Sequence, residues 1–209
     1  MLLESKSLEY SHTLVGMEEN QVERDVMEYD VVIVGGGPSG LSTAIKLKQL
    51  AAEKNADLSV CLIEKGSEIG AHILSGNCFE PRALDELIPD WKEKGAPLNS
   101  PATKDVVKFL INENLSFNIP FPSFLMPNFN NHCNYVMSLA NLCRWLGTQA
   151  ESLGVEIFPG FTAADVILEN DVVKGILTGE MGISKDGEKS FLPTLYGIKS
   201  QIHNICRRM

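Results

Sequence analysis

The motif Gly35-x-Gly37-x-x-Gly40 constrains the fold of this chain more than any other feature of its sequence. The run over 29–34 immediately before it is rich in β-branched residues, which is typical of a strand buried on both faces. Apolar residues recur at helical spacing over 41–52 and predict a helix directly after the glycines. A glycine turn between a buried strand and a helix is the setting that a dinucleotide-binding site requires.

Each glycine of the motif has a distinct expected role. Gly35 permits the tight turn, Gly37 lets the backbone approach a pyrophosphate, and Gly40 allows close packing of helix on strand. The start of the helix supplies unpaired N–H groups and partial positive charge. Glu64, 24 positions after Gly40, ends a second predicted strand over 58–63 and is placed to accept hydrogen bonds from ribose hydroxyls.

The pattern leaves alternatives open. An ordinary glycine turn in a βαβ unit with a surface Glu64 would give the same spacing. An acid at this position disfavours a 2′-phosphate, which argues against NADP, but it does not separate FAD from NAD. Pro38-Ser39 within the turn and the Glu64-Lys65 pair are more typical of flavoproteins than of dehydrogenases.

Further elements are predicted along the rest of the chain. Pro81 begins a short helix with one apolar stripe, which consists of Leu84, Leu87, Ile88 and Trp91. A helix over 139–153 ends at Gly154 and is followed by a strand over 155–158. Residues 166–177 predict a β-hairpin with its turn at 169–171.

Composition excludes several classes of protein. The chain has 18 Lys plus Arg against 27 Asp plus Glu, a formal net charge of -9, and no segregated basic stripe, so we expect no nucleic-acid partner. Its five cysteines are widely spaced and form no C-x-x-C pair, which disfavours zinc ribbons and disulfide frameworks. We therefore predict no metal site.

The first residues and the apolar runs bear on targeting. The leader carries six acids before residue 26, unlike secretory or mitochondrial presequences, so we expect residues 1–26 to form an untargeted, mobile acidic arm. The longest apolar run, Val31–Val34, is far shorter than the roughly 20 residues that span a bilayer. Any contact with a membrane would then be peripheral.

Longer stretches of the sequence resemble one enzyme family. They are MEYD leading into VVIVGGGPSGLS, VCLIEKGSEIGAHILSGNCFEPRALDELIPDWKEKGAPLNSP, NNHCNY and GVEIFPGFTAADVI. Together they are similar to electron-transfer flavoprotein:ubiquinone oxidoreductases. The resemblance implies an α/β fold with a Rossmann-like FAD-binding βαβ domain of the glutathione-reductase type, here incomplete and carrying a β-hairpin insertion.

The same resemblance implies a set of functional residues. It suggests FAD as cofactor, electron-transfer flavoprotein as electron donor, ubiquinone as acceptor, and contact with a membrane surface. The positions that match the family's FAD segment are Val34, Gly35, Gly36, Gly37, Pro38, Ser39, Gly40, Glu64, Lys65, Gly70, Ala71, His72, Leu74 and Ser75. No catalytic residue is assigned, and His72 and His132 are given no proton-transfer role.

A membrane-facing or quinone-facing side is also expected from the resemblance, in the part matching 69–90. It would consist of Phe79 and the four stripe residues Leu84, Leu87, Ile88 and Trp91, although periodicity alone fits packing on the protein's own core equally well. The Phe-rich loop from Phe117 to Phe129 is a second candidate surface, the alternative being that it wraps the flavin domain as core. The implied location is the cytoplasmic face of a bacterial inner membrane, or the mitochondrial inner membrane in eukaryotic relatives, and the cytoplasm if the chain does not bind membrane.

The chain departs from the family towards its end. The family's 4Fe-4S cluster needs four clustered cysteines, and the cysteines here lack that spacing. We expect an incomplete FAD-binding domain over 27–190, including part of the quinone and membrane side, and a tail without family resemblance over 191–209. A shifted reading of permitted codons for 201–209 encodes YTIFAEGC, which favours a frameshift. The alternatives are an inactive product without cofactor, or another FAD-dependent oxidoreductase such as a geranylgeranyl-reductase-like protein.

Overall fold

A computed structural model describes residues 25–74, 76–119, 131–179 and 196–200. The three helices in this part of the chain are α1 (Pro38–Glu53), α2 (Arg82–Leu87) and α3 (Leu139–Ser152). The strands are β1 (Asp25–Tyr29), β2 (Val31–Val34), β3 (Val60–Glu64), β4 (Asn77–Phe79), β5 (Val107–Asn112), β6 (Leu115–Ile119), β7 (Tyr135–Met137), β8 (Val155–Pro159), β9 (Ala163–Glu169), β10 (Val172–Thr178) and β11 (Tyr196–Ser200).

A parallel sheet of three strands, in the order β2-β3-β8, forms the centre of the fold. Val31 pairs with Val60, and Val60 pairs with Val155, so the three strands begin in register. Helix α1 connects β2 to β3 and α3 leads into β8, which confirms the predicted βαβ unit and the α/β fold class. All strand residues from Val60 to Ile63 are buried, as expected for a central strand covered on both faces.

The main apolar core lies on the helical face of this sheet. Val60 and Leu62 point to that face and pack with residues of α1 and α3, including Leu41, Ile45 and Leu142. Cys61 and Ile63 point to the opposite face because side chains alternate along a strand. The two faces of β3 thus join two separate apolar clusters.

A second sheet, in the order β1-β11-β10-β9, covers the other face. Ile176 of β10 and Ile198 of β11 pack there with Tyr29, Cys61 and Ile63. Strands β9 and β10 confirm the predicted hairpin, with Asn170 and Asp171 at positive φ in its turn. Residues 196–200, which the sequence analysis places in a tail without family resemblance, form β11. This strand lies between β1 and β10.

The predicted strand over 29–34 divides at Asp30. Residues before Asp30 belong to β1 in the second sheet, and residues after it belong to β2 in the parallel sheet. The Asp30 carboxylate accepts hydrogen bonds from the backbone N–H and the hydroxyl of Ser59, at 2.8 and 2.7 Å. These bonds hold the crossing point against the start of β3.

The predicted apolar stripe packs inside the protein, which favours the core alternative for it; its assignment to the membrane or quinone side stays a prediction. Leu84, Ile88 and Trp91 are only 3%, 4% and 3% exposed and belong to the main core. Leu87 and Phe79 are partly buried and pack against the same core. In this conformation Leu84, Ile88 and Trp91 do not reach a lipid surface. Helical periodicity does not distinguish a face turned to the core from a face turned to a membrane.

The local backbone explains why the stripe turns inward. Helix α2 ends at Leu87, so Ile88 and Trp91 lie in the turns beyond it rather than on an extended amphipathic helix. The indole N–H of Trp91 donates to Asp85 Oδ1 at 2.7 Å, and its ring stacks edge-to-face on Tyr135 at 5.8 Å. Both contacts fix the Trp91 ring within the fold.

Strands β5 and β6 form an antiparallel hairpin that the sequence analysis did not identify. Its apolar side chains face solvent: Phe109, Leu110, Ile111, Leu115 and Phe117 are each more than half exposed, as is Val106 just before it. Phe109 and Phe117 are opposite each other, with ring centroids 5.3 Å apart. The remainder of the Phe-rich loop, 120–130, lies outside the described residues.

Candidate dinucleotide-binding site

The glycine motif forms the connection between β2 and α1. Gly35 has a positive φ of 103°, which an L side chain rarely adopts, and its N–H donates to the Ile63 carbonyl of β3 at 2.8 Å. A Cβ on Gly40 would overlap the carbonyl oxygen of Gly35. The first and last glycines are therefore required by the turn itself and by close contact between α1 and β2.

Gly37 differs from its neighbours because it faces open space. No heavy atom of the described residues outside its immediate chain neighbours lies within 4 Å of the position of a Cβ on Gly37. Gly37 is the N-cap of α1, Pro38 occupies the first helical turn, and that turn contains no acidic residue. The backbone amides at a helix start point outwards and carry partial positive charge. This combination fits a pyrophosphate group placed beside Gly37.

Glu64 links the glycine turn to the end of β3. The N–H of Gly36 donates to Glu64 Oε2 at 2.7 Å, and the N–H of Gly66 donates to Oε1 at 2.8 Å. Each carboxylate oxygen has a second lone pair, so these bonds leave capacity for ribose hydroxyls. Glu64 is partly buried at the carboxyl end of its strand, while Lys65 beside it is exposed.

The predicted cofactor segment after β3 is divided in the structure. Gly70 is buried, has a positive φ of 85° and lies against the backbone carbonyl of Ala140 at the start of α3. Ala71, His72 and Leu74 are exposed. Ser75 lies outside the described residues. The exposed residues stay candidates for contact with a cofactor, whereas Gly70 has a packing role.

Other predicted residues surround the turn. Val34, the last residue of β2, is half exposed, and the side chains of Pro38 and Ser39 are exposed at the start of α1. Gly36 is buried between Glu64 and Ile69. The motif, Glu64 and the start of α1 thus come together at the carboxyl ends of β2 and β3, the edge at which open α/β sheets bind ligands.

Sequence reasoning missed Gly66, whose N–H shares the Glu64 carboxylate. The Gly66 carbonyl also accepts the Gly160 N–H at 2.7 Å, which connects the end of β3 to the end of β8. The available signal was the tripeptide Glu64-Lys65-Gly66. Its glycine lies two residues after the acid, a spacing at which the acid's side chain can accept a hydrogen bond from the backbone N–H of the glycine.

Two buried cysteines have strongly raised pKa values. Burial, with a smaller contribution from the Glu156 carboxylate, raises the pKa of Cys61 to about 12. Burial, followed by the Glu64 carboxylate, raises the pKa of Cys143 to about 11. Both thiols therefore stay protonated at neutral pH and act as small apolar core residues.

Neither a metal group nor a membrane-spanning helix is found in the described segments. Within residues 25–74, 76–119, 131–179 and 196–200, no three His, Cys, Asp or Glu side chains are arranged to hold a metal ion. No described helix has the length and apolar character needed to cross a bilayer. His72 and His132 are both exposed, and His132 Nδ1 lies 3.2 Å from Cys133 Sγ.

Comparison with known proteins identifies the class of the domain. Residues 33–86 match the family model described as an NAD(P)-binding Rossmann-like domain. The fold is similar to a geranylgeranyl bacteriochlorophyll reductase-like protein of Thermoplasma acidophilum, with a TM-score of 0.54 and 17% identity over 85% of this chain and 38% of that chain. It is also similar to a flavin-dependent brominase, with a TM-score of 0.53 and 18% identity over 84% of this chain and 37% of the other. These likenesses establish a Rossmann-like fold.

Curated relatives are much closer in sequence. The chain is 56% identical over 168 residues to electron transfer flavoprotein-ubiquinone oxidoreductase of Pseudomonas aeruginosa, which covers 79% of this chain and 30% of the relative. A probable enzyme of the same name from Acinetobacter baylyi is 58% identical, over 80% of this chain and 30% of the relative. The mitochondrial protein of Bos taurus is 54% identical, over 79% of this chain and 27% of the relative.

The resemblance to the electron transfer flavoprotein-ubiquinone oxidoreductases is thereby confirmed. It covers most of this chain and the N-terminal part of the relatives, and the chain spans about 30% of the length of the bacterial ones. The relatives are oxidoreductases by name.

Proposed function

We propose that this chain is the FAD-binding part of an oxidoreductase that passes electrons from reduced electron-transfer flavoprotein to ubiquinone. The observation that supports it most is the open position at Gly37, at the start of α1 and beside the Glu64 carboxylate. This geometry fits the pyrophosphate and the adenosine ribose of a dinucleotide. The names of the curated relatives provide the proposed donor and acceptor.

FAD is the proposed dinucleotide. Glu64 disfavours NADP because its carboxylate would repel a 2′-phosphate on the ribose. In this assignment Gly37 and the start of α1 hold the pyrophosphate, and the free lone pairs of Glu64 accept the ribose hydroxyls. Bound FAD would supply the redox chemistry, accepting and releasing electrons on its ring. The protein residues bind and orient it, and the exposed residues Ala71, His72 and Leu74 are candidates to lie along it.

Peripheral contact with a membrane is proposed to run through the β5–β6 hairpin. The face that contains Phe109 and Phe117 also contains Val107 opposite Ile119, and these aromatic and aliphatic side chains are exposed or only partly buried. Lys108 and Glu113 are the only charged residues in the segment 107–119. An exposed apolar surface with few charges fits the interface of a bilayer better than water. A ubiquinone dissolved in lipid would then be close to the protein.

The test of the cofactor is a titration of the purified chain with FAD, NAD⁺ and NADP⁺, followed by flavin fluorescence and by calorimetry. Saturable binding of FAD with weaker or undetectable binding of the nicotinamide dinucleotides is expected. Preference for NAD⁺ would replace the flavoprotein assignment with a dehydrogenase. Absence of binding to all three would favour an inactive product.

The donor is tested separately on the FAD-loaded chain. After anaerobic mixing with reduced electron-transfer flavoprotein and separation of the two proteins, the absorbance of the FAD bound to this chain should be bleached; the separation is needed because the donor's own flavin regains its absorbance as it gives up electrons. NADH at the same concentration is the matched control and should leave the absorbance of the bound FAD unchanged. Bleaching by NADH alone would remove electron-transfer flavoprotein as the donor while leaving the cofactor assignment intact.

A further inference from the structure

Ile69 contacts the glycine turn on one side and helix α3 on the other. A Cβ placed on Gly36 would overlap the Cδ1 atom of Ile69, so that methyl group already touches the turn. A Cβ placed on Gly147 of α3 would lie 3.6 Å from Cγ1 of Ile69 and 3.8 Å from Cγ2. Ile69 is partly buried and packs against the main core. Its side chain therefore lies between two glycines from different parts of the fold.

The residues flanking Ile69 are held by α3. Gly70 lies so close to the Ala140 carbonyl that an added Cβ would stand 2.8 Å from its oxygen. On the other flank, Glu68 Oε1 accepts a hydrogen bond from Arg144 Nη2 at 2.8 Å. Because both neighbours are attached to α3, the position of Ile69 follows the position of that helix.

Gly36 is enclosed by Glu64 and Ile69. Its N–H donates to Glu64 Oε2, and a Cβ added to it would overlap Ile69 Cδ1 and lie 3.3 Å from Cβ and Oε2 of Glu64. Gly36 has no positive φ, so its missing side chain is explained by the space that Ile69 occupies and not by backbone conformation. Any movement of Gly36 would carry Gly37, its immediate neighbour, with it.

We propose that Ile69 is a positioning residue for the phosphate-binding turn. It packs on Gly36 beside the hydrogen bond to Glu64, limits the movement of the Gly36 peptide and thereby sets where the Gly37 backbone meets a pyrophosphate. Through this one side chain, helix α3 becomes part of the cofactor site although it begins more than 60 positions after Ile69 in the chain. The inference rests on the proposed function, since the pyrophosphate is that of the proposed FAD.

The test uses the fact that Ile69→Val deletes the Cδ1 methyl group, the atom that overlaps a Cβ at Gly36. Four forms of the full 209-residue chain are compared: the unaltered protein, Gly36→Ala, Ile69→Val and the double variant. Ile157→Val is the matched control, because Ile157 is also partly buried against the main core but lies on β8 opposite Leu62. Affinity for FAD is measured by flavin fluorescence.

Gly36→Ala is expected to weaken FAD binding about tenfold, because the added methyl group must displace Ile69 Cδ1 and would lie only 3.3 Å from Cβ and Oε2 of Glu64. Ile69→Val alone should weaken it about threefold, as the turn loses its support. The double variant should recover most of the loss caused by Gly36→Ala, and Gly36→Ala with Ile157→Val should recover none. Equal losses in the two double variants would overturn the proposal.

A second measurement does not depend on FAD. Hydrogen exchange of the Gly36 and Gly37 amides, followed by NMR in the absence of cofactor, should quicken in Ile69→Val and stay unchanged in Ile157→Val. Unchanged exchange in Ile69→Val would overturn the role of Ile69. If the unaltered chain binds no FAD while exchange responds as expected, the proposed function fails but Ile69 still positions the turn.

Discussion

The Gly36 N–H donates a hydrogen bond to Glu64 Oε2 at 2.7 Å, joining the glycine turn to the end of the neighbouring strand. The second oxygen of the same carboxylate accepts the N–H of Gly66 at 2.8 Å. Glu64 thus organises two backbone segments before any ligand is considered. A residue expected to contact only a cofactor also forms part of the folded structure.

Replacing Glu64 should consequently alter two quantities. Glu64→Ala leaves the amides of Gly36 and Gly66 without their acceptor, so the melting temperature of the cofactor-free chain should fall. FAD binding should weaken as well, by about 1–3 kcal/mol for the loss of a charge-assisted hydrogen bond. Calorimetry and fluorescence titration measure the two effects. Replacement of the exposed Glu53 by Ala is the control, and an unchanged FAD affinity in Glu64→Ala would leave Glu64 with a structural role only.

The burial of Ile88 and Trp91, in the turns after α2, predicts how substitutions there affect folding. Ile88→Glu would place a carboxylate in the apolar core, and Trp91→Ala would leave a cavity whose cost is about 3–5 kcal/mol. Both changes should lower the melting temperature sharply or prevent folding, as seen by circular dichroism. A folded Ile88→Glu protein that has lost only its affinity for vesicles would favour the membrane assignment over the core alternative.

The β5–β6 hairpin makes the complementary prediction. Phe109→Glu with Phe117→Glu should leave the fold intact, because both side chains are half exposed, and should reduce co-sedimentation with lipid vesicles. The matched control is Val166→Glu with Leu168→Glu, since these exposed apolar residues lie on β9 in the other hairpin. Equal loss in both double variants would show that vesicle binding depends on general apolar exposure, and no loss in either would exclude the β5–β6 hairpin.

The four cysteines among the described residues should separate into two reactivity classes. The raised pKa values of Cys61 and Cys143, about 12 and 11, keep these buried thiols protonated at pH 7, whereas Cys78 and Cys133 are exposed. Mass spectrometry after brief treatment with N-ethylmaleimide should find label on Cys78 and Cys133, and on Cys61 and Cys143 only after unfolding. Rapid native labelling of Cys143 would mean that α3 does not pack as described.

The βαβ unit could be predicted because its signals are local. The β-branched strand, the glycine spacing and the helical periodicity each lie within a short window, and α1, β3, α3 and β8 follow them closely. The contact between Gly36 and Glu64 could not be predicted from the sequence, because it joins residues 28 positions apart through the pairing of β2 with β3. Sequence spacing placed Glu64 at the correct edge of the sheet without showing which groups it bonds.

Two other features show what periodicity leaves undecided. The spacing of Leu84, Ile88 and Trp91 identified an apolar stripe correctly, but the direction in which it faces depends on α1 and α3, which pack over it. The β5–β6 hairpin was missed although Glu113 and Asn114 form its turn. Its consecutive apolar residues from Phe109 to Ile111 hide the alternation by which a strand is normally recognised.

The central claim, that the open space beside Gly37 receives the pyrophosphate of FAD, is tested most directly by Gly37→Val. The φ of −82° and ψ of −179° at this position suit a β-branched residue, and no atom of the described residues beyond the neighbours of Gly37 meets a Cβ there. The fold should therefore persist, with an unchanged melting temperature, while the FAD content falls to background. A Gly37→Val protein that retains FAD as tightly as the unaltered chain would contradict the assignment.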